Sequence, residues 1–148
     1  METDNNIVRY LVSLGQPDQA ISKCKSILKE LGEGLPLLLP GVLGVPVLVR
    51  EFWTVKKMLG KYSGKDILVH KRMTDTRKLA AMEFLQSIIS AASNSADPRI
   101  LAILIIRLVK ISLESGLCDV SAFAFASYGS MLVHGKIKGG SVLIIGQC

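Results

Sequence analysis

The stretch 97–135 is the most apolar part of the chain, and it carries clear signals for where helices begin and end. Asp97 precedes Pro98, a pair typical of a helix start. An aspartate before a helix accepts hydrogen bonds from the N–H groups of the first turn. Proline is tolerated in the first turn because the N–H that it lacks would have no partner within the helix. Gly116 fits a helix end, because glycine readily adopts the left-handed conformation found there. The stretch therefore predicts two helices joined by a tight corner.

The first of these helices, 98–115, is predicted to be the centre of the fold. Its polar residues, Arg107 and Lys110 among them, leave only one narrow polar stripe. Burial of an aliphatic side chain contributes about 1.5–3 kcal/mol, so this helix is expected to be the largest single stabilising element. The second helix, about 120–134, is expected to use Ala122, Ala124 and Ala126 for close approach. The aliphatic residues of the first helix are Ile100, Leu101, Ile103, Leu104, Ile105, Ile106, Leu108, Val109, Ile111 and Leu113.

Apolar residues at steps of three and four predict four further helices along the chain. A short turn at Gly15 is expected to place the first two antiparallel, as a hairpin. The chain is thus predicted to be all-α, with about six helices arranged as antiparallel hairpins stacked into a TPR-like solenoid. The four ranges are 5–14, 17–31, 46–60 and 76–93. Their expected buried residues include Ile7, Val8, Leu11, Leu14, Ala20, Cys24, Ile27, Leu28, Phe52, Trp53, Val55, Met82, Leu85, Ile88 and Ile89.

The length of 148 residues suits one domain, and folding at this length buries roughly 68–70% of the unfolded surface. The composition is 49% hydrophobic but only 5% aromatic, which favours packed helices over an aromatic-rich β-sandwich. We predict a single helical domain over residues 1–140, containing a basic connector at 60–75. The structure of the tail 141–148 is left open, because its sequence fits either a short strand or an apolar chain end.

Positive charge is concentrated in the segment 50–78, which holds nine lysines and arginines against three acidic residues. Such a segment suits either a solvated basic face, which we favour, or a surface that binds nucleic acid or an anionic membrane. Only Trp53 and Tyr62 interleave as possible stacking groups. The candidate basic binding face comprises Lys56, Lys57, Lys61, Lys65, Lys71, Arg72, Arg77 and Lys78.

No catalytic, metal or cofactor motif stands out, so we predict that the chain is not an enzyme and has no cofactor. The sequence GKYSGK at 60–65 differs from a phosphate-binding Walker loop, which needs four residues between its glycines and Ser or Thr after the lysine. His70 and His134 have no nucleophile at catalytic spacing. Asp66 and Asp75 are interpreted as turn and cap residues.

The apolar stretch 35–49 contains three prolines and is too short for a transmembrane helix of ~20 residues. The acidic start of the chain lacks the pattern of a secretory signal. Three widely spaced cysteines, an odd number, favour free thiols in a reducing compartment. We therefore expect a cytoplasmic protein.

Four segments resemble the helical region of large multidomain signalling ATPases, in which kinase-like and STAND/AAA-type predicted ATPase domains precede tetratricopeptide-like helices. The resemblance covers about residues 20–135. The chain departs from the family at His70-Lys71-Arg72 and after Gly139-Gly140, where SVLIIGQC follows. The segments are LKELGEGLP at 28–36, KKMLGKYSGKDIL at 56–68, RMTDTRKLAAMEFL at 72–85 and RLVKISLESGLCDVSAFAFASYG at 107–129.

This resemblance implies a helical scaffold that binds partner proteins or neighbouring helical repeats and transmits signals. The kinase and ATPase motifs of the family lie outside the chain, so no catalytic residue is implied. The chain is accordingly expected to be a fragment or shortened relative of such a protein, able to self-associate. The alternative function is a small basic protein that binds nucleic acid or an anionic membrane surface through residues 50–78.

Overall fold

The computed structural model describes residues 2–33, 44–92 and 98–137. These ranges form seven helices and no strand, so the all-α prediction is confirmed. The helix that the sequence did not predict is α4, a short one inside the predicted connector. The helices are α1 Glu2–Ser13, α2 Pro17–Glu30, α3 Gly44–Leu59, α4 Gly64–Leu68, α5 Thr76–Ala92, α6 Pro98–Ser115 and α7 Asp119–Ile137. The predicted tail at 141–148 lies outside the described residues.

Helix α6 is the centre of the structure, as predicted. It contacts α3, α5 and α7, whereas α1 contacts α2 and α5. Leu101 and Ile105 on the same helix are only partly buried, because they lie at the border of its buried surface. The buried residues of α6 are Ala102, Ile103, Leu104, Ile106, Leu108, Val109, Ile111, Ser112 and Leu113.

The corner between α6 and α7 is fastened to the end of the predicted connector. Gly116 has a φ of +113°, a conformation that favours glycine. The amide of Leu117 donates to the carbonyl oxygen of Lys71 at 2.8 Å, and the amide of Met73 donates to that of Leu117 at 2.9 Å. These two bonds form a parallel bridge, and the Met73 side chain is buried. The end of the connector is therefore a packed part of the fold.

Two buried serines join α6 to the start of α7. The hydroxyl oxygens of Ser112 and Ser121 lie 2.9 Å apart, and that of Ser112 also donates to the carbonyl of Leu108 at 3.0 Å. Ser121 accepts a hydrogen bond from the backbone N–H of Cys118 at 3.0 Å. Each buried hydroxyl thus has partners, which avoids the cost of an unsatisfied polar group.

Several predicted burial positions are wrong. On α1, Val8 is buried, but Ile7 and Leu14 are exposed, because the contact with α2 and α5 covers only a narrow stripe of the helix. On α7, Ala124 is buried and the alanines on either side of it at 122 and 126 are exposed. On α3, Trp53 is exposed because Phe52 and Val55 form the buried face of that helix.

The buried thiol of Cys24 makes stability depend on pH. Burial raises the pKa of Cys24 from its ordinary value of 9.0 to about 12. The unfolded thiol ionises above pH 9 while the folded one stays neutral, so stability is full below pH 9 and is lost as pH rises toward 12. At pH 10 we expect a loss of about 1.4 kcal/mol from this group. Urea unfolding at pH 8 and pH 10 measures this loss.

The control for this prediction is Cys24→Ala, which should lower stability at both pH values but show a smaller loss between them. Burial also raises the pKa of Tyr128, so the comparison with the variant isolates the thiol from other groups that titrate in the same range. Equal losses in the two proteins would contradict the prediction.

Candidate functional site

The structure distributes the predicted basic face over four elements. Lys56 and Lys57 lie in the last turn of α3, and Lys65 lies in α4. Arg72 belongs to the bridge with Leu117. The exposed members are Lys56, Lys57, Lys61, Lys65, Lys71, Arg72 and Arg77, whereas Lys78 is half-buried. Seven of the eight residues are thus exposed to solvent. They are spread over several elements, and no contact among them is described.

Lys78 belongs to a buried ion cluster instead. Glu33, only 3% exposed, follows α2, and its Oε2 accepts a hydrogen bond from Nη2 of Arg107 at 2.8 Å. The Nζ of Lys78 contacts Oε1 of the same carboxylate. One carboxylate therefore joins the end of α2 to α5 and α6. The sequence did not predict this cluster, although a charged residue at position 107 within so apolar a helix was a signal for it.

The second cation of the polar stripe on α6 also has a partner. Nζ of Lys110 donates to Oε2 of Glu51 on α3 at 3.1 Å, and Nη2 of Arg50 lies 3.5 Å from Oε1 of Glu51. Arg107 and Lys110 thus both bind carboxylates that come from earlier in the chain. These two residues of the polar stripe connect α6 to two other parts of the fold.

The remaining charged and polar candidates have structural roles. Ser63 and Asp66 form a reciprocal capping box at the start of α4, and hydrogen bonds from Ser63, the backbone N–H first, lower the pKa of Asp66. Asp75 accepts the backbone N–H groups of residues 77 and 78 at the start of α5. Asp75 is therefore a cap residue, as predicted, whereas Asp66, which was predicted to be a turn residue, lies in the first turn of α4 and takes part in its capping box.

Both histidines are also engaged in local contacts. Nε2 of His70 lies 3.1 Å from the carbonyl oxygen of Leu113, and its ring packs edge-on against Tyr62 at 5.3 Å. His134 interacts with Ser130, one turn earlier in α7. The His70 contact is with a backbone carbonyl group, whereas Nδ1 of His134 lies 3.2 Å from the hydroxyl oxygen of Ser130 and 2.8 Å from its carbonyl oxygen, on the exposed surface of α7.

An exposed hollow lies on the outer face of α3. Its lining residues are Arg50, Trp53, Thr54, Lys56 and Lys57. The Trp53 side chain is 38% exposed, and the Nζ of Lys56 lies 4.8 Å from the centre of the indole ring. We call this surface the Trp53 hollow. It combines an apolar floor with positive charge, and it contains two members of the predicted basic face.

The outer face of α1, together with Leu14 directly after its last residue, carries a row of exposed apolar side chains. Ile7, Tyr10 and Leu14 are 41%, 62% and 52% exposed. Their spacing of three and four residues places them on one side of the helix. We call this row the α1 stripe. Val8, on another side of the helix, is buried against the domain. Helix α1 therefore has apolar residues both on its buried side and on its exposed side.

Within the ranges 2–33, 44–92 and 98–137, the structure contains no group of three or more His, Cys, Asp or Glu side chains that could hold a metal ion. A small hollow of about 180 Å³ lies beside the start of α7, where it is lined by Arg72, Glu83, Cys118 and Asp119 among others. In the same part of the chain, no helix has both the length and the apolarity needed to span a bilayer.

Comparisons with protein-family models, with curated proteins and with solved structures found no match to this chain. The resemblance to the helical region of signalling ATPases therefore stays a prediction. Functional inference has to come from the exposed surfaces themselves.

Proposed function

We propose that this protein is a non-catalytic helical scaffold that binds other proteins. The observation that carries the proposal is the α1 stripe, in which Ile7, Tyr10 and Leu14 lie exposed on one side of a helix. Contiguous exposed apolar patches often mark protein interfaces, and tyrosine is enriched in such interfaces. A partner helix that covered the stripe would remove these three side chains from water.

The arrangement we propose for this scaffold is a TPR-like stack of antiparallel helical hairpins, related to the helical region of multidomain signalling ATPases. The α1 stripe then serves as the surface on which a neighbouring helical repeat, a second copy or a signalling partner docks. We propose a cytoplasmic location, with Cys24 and Cys118 as free thiols.

A second candidate function is binding of nucleic acid or an anionic membrane through residues 50–78. The observation in its favour is that seven of the eight predicted basic residues are exposed. Its test is binding of single-stranded DNA or phosphatidylserine vesicles over a range of salt concentrations. Retention of binding after neutralisation of Lys56, Lys57, Lys61 and Lys65, or a lack of salt dependence, would exclude this function.

The scaffold proposal predicts that replacing the α1 stripe removes partner binding without unfolding the protein. In the triple variant Ile7→Ser, Tyr10→Ser, Leu14→Ser, we expect the recovery of specific partners to fall at least about tenfold. A tenfold loss of affinity requires the loss of only about 1.4 kcal/mol of binding free energy. Recovery is measured by quantitative mass spectrometry after affinity enrichment from cells, and sedimentation velocity shows whether a second copy is the partner.

The matched control replaces three exposed apolar residues that lie elsewhere. Leu68, Val69 and Val133 are 83%, 82% and 56% exposed, and none belongs to α1. The variant Leu68→Ser, Val69→Ser, Val133→Ser should retain partner recovery, and circular dichroism should show the same helix content in all three proteins. If both triple variants recover partners as well as the unmodified chain, the α1 stripe is not the interface.

A further inference from the structure

We propose that the Trp53 hollow binds a short acidic segment of a partner protein, with one apolar side chain of that segment placed against the indole of Trp53. This surface is separate from the α1 stripe, so the inference does not depend on the function proposed above. The ligand that we infer for this surface of α3 has carboxylates on either side of one apolar side chain.

The hollow has a firm base because the opposite face of α3 is buried. Phe52 and Val55 are 3% and 0% exposed, and α3 packs against the central helix α6. The lining residues Arg50, Trp53 and Lys57 follow each other at steps of three and four, so they lie on one side of the helix. A ligand in the hollow therefore meets side chains whose backbone is already held in place.

The floor of the hollow suits one apolar side chain. Trp53 contributes an aromatic side chain to the lining, and the neighbouring lining residues Thr54 and Lys57 have a methyl group and an aliphatic stem. Aromatic residues in partly desolvated hollows contribute a large share of the energy of many protein interfaces. A leucine or an aromatic residue of a partner fits this floor better than a polar side chain does.

The rim of the hollow favours negative charge. It holds three cations, Arg50, Lys56 and Lys57, and the carboxylate of Glu51 lies 3.5 Å from Arg50. Glu51 is already bound by Lys110, so it offsets the rim charge only in part. Among the described residues Lys57 has no ion-pair partner. Carboxylates that flank an apolar anchor would therefore match the rim.

The same geometry favours a peptide over a nucleic acid or a membrane. Binding of a single strand uses several aromatic faces in succession, whereas Trp53 is the only aromatic residue among the described residues that line the hollow. Lys56 covers one face of its ring at 4.8 Å, which leaves at most one face for a base. Membrane insertion requires protruding apolar side chains, whereas most of the Trp53 side chain is covered.

The experiment uses the fluorescence of Trp53, the only tryptophan in the chain, as a report from inside the hollow. The probe is a short synthetic peptide of glutamates around one central leucine, titrated into the full chain at an ionic strength of about 0.15 M. Control peptides replace the leucine by serine, or all glutamates by glutamine. We expect the leucine–glutamate peptide to change the Trp53 emission and to bind at least tenfold more tightly than either control peptide.

Two charge-reversal variants distinguish the hollow from the general positive charge of the segment. Lys57→Glu changes the rim, and Lys65→Glu makes the same change of charge on α4, outside the hollow; both residues are exposed. We expect at least a tenfold loss of peptide affinity for Lys57→Glu and less than a threefold loss for Lys65→Glu. Unchanged circular dichroism confirms that both variants fold.

Three results would overturn the inference. The first is peptide binding that leaves the Trp53 emission unchanged, or no binding at all. The second is an equal loss of affinity in Lys57→Glu and Lys65→Glu, which would show attraction by overall charge alone. The third is a larger change of Trp53 emission with oligothymidylate or with phosphatidylserine vesicles than with the peptide, which would assign the hollow to nucleic acid or to membrane.

Discussion

Replacement of Gly116 by alanine is expected to lower the free energy of unfolding by about 3–5 kcal/mol. A Cβ atom at this position would lie 2.8 Å from the carbonyl oxygen of Lys71 and 2.9 Å from backbone atoms of Arg72 and Met73. These neighbours are backbone atoms, so they cannot turn aside as a flexible side chain could. The connector would have to move, with loss of the two hydrogen bonds between residues 71–73 and Leu117.

Three physical effects contribute to this loss. A non-glycine residue at positive φ costs roughly 1–2 kcal/mol. Each lost hydrogen bond contributes about 0.5–1.5 kcal/mol, and overpacking a close contact costs about 1–3 kcal/mol. Since movement of the connector relieves some of the overpacking, the three effects do not add in full. Urea unfolding followed by circular dichroism measures the change.

Gly15→Ala is the matched control, because Gly15 has a φ of +68° and nothing lies within 4 Å of an added Cβ. This variant has the backbone cost of about 1–2 kcal/mol without the close contact. A loss at Gly116 no larger than the loss at Gly15 would mean that the bridge between the connector and the corner does not constrain the folded protein.

Replacement of Glu33 by glutamine is expected to cost about 3 kcal/mol. The change removes the negative charge between Lys78 and Arg107 while keeping the shape of the side chain. Breaking a buried ion pair commonly costs about 3–5 kcal/mol, because the remaining charge is left without a partner. We take the lower end, because the side chain of Lys78 is 30% exposed and water can solvate part of its charge.

Two further variants test this explanation. Lys23→Gln breaks the pair with Asp4, whose side chains are 40% and 36% exposed, and should cost less than about 1 kcal/mol. Arg107→Met in the Glu33→Gln protein should recover part of the lost stability, because it removes the buried charge that lacks a partner. If the double variant is as unstable as the sum of the two single variants, the residues do not interact as the structure shows.

The helices could be predicted because their signals are local. The spacing of apolar residues, the start at Pro98 and the left-handed glycine at 116 all act within a few residues of the helix they define. The density of aliphatic residues in α6 likewise identified the central helix, since only a helix that contacts neighbours on several sides can bury so many. These features require no knowledge of which segments meet.

The ion clusters and the exposed surfaces depend on such knowledge. Glu33 and Arg107 meet only because the fold brings the segment after α2 to α6, and no local pattern relates two residues so far apart in the chain. Trp53 was expected to be buried because it is apolar, yet its neighbour Phe52 occupies the face toward α6. The orientation of a helix decides which of two adjacent aromatic residues is covered, so the Trp53 hollow could not be derived from periodicity alone.

Arg107 and Lys110 determine how α6 is set within the domain. A helix that is apolar on most of its sides could be rotated, or moved along its axis, and would still bury much the same area. Arg107 and Lys110 lie three residues apart. Arg107 binds Glu33, which follows α2, and Lys110 binds Glu51 on α3. A shift of α6 by one turn, which is close to the spacing of Arg107 and Lys110, would break both present pairs and leave at most one of these cations beside a carboxylate. The ion pairs therefore select one packing arrangement among several of similar apolar burial.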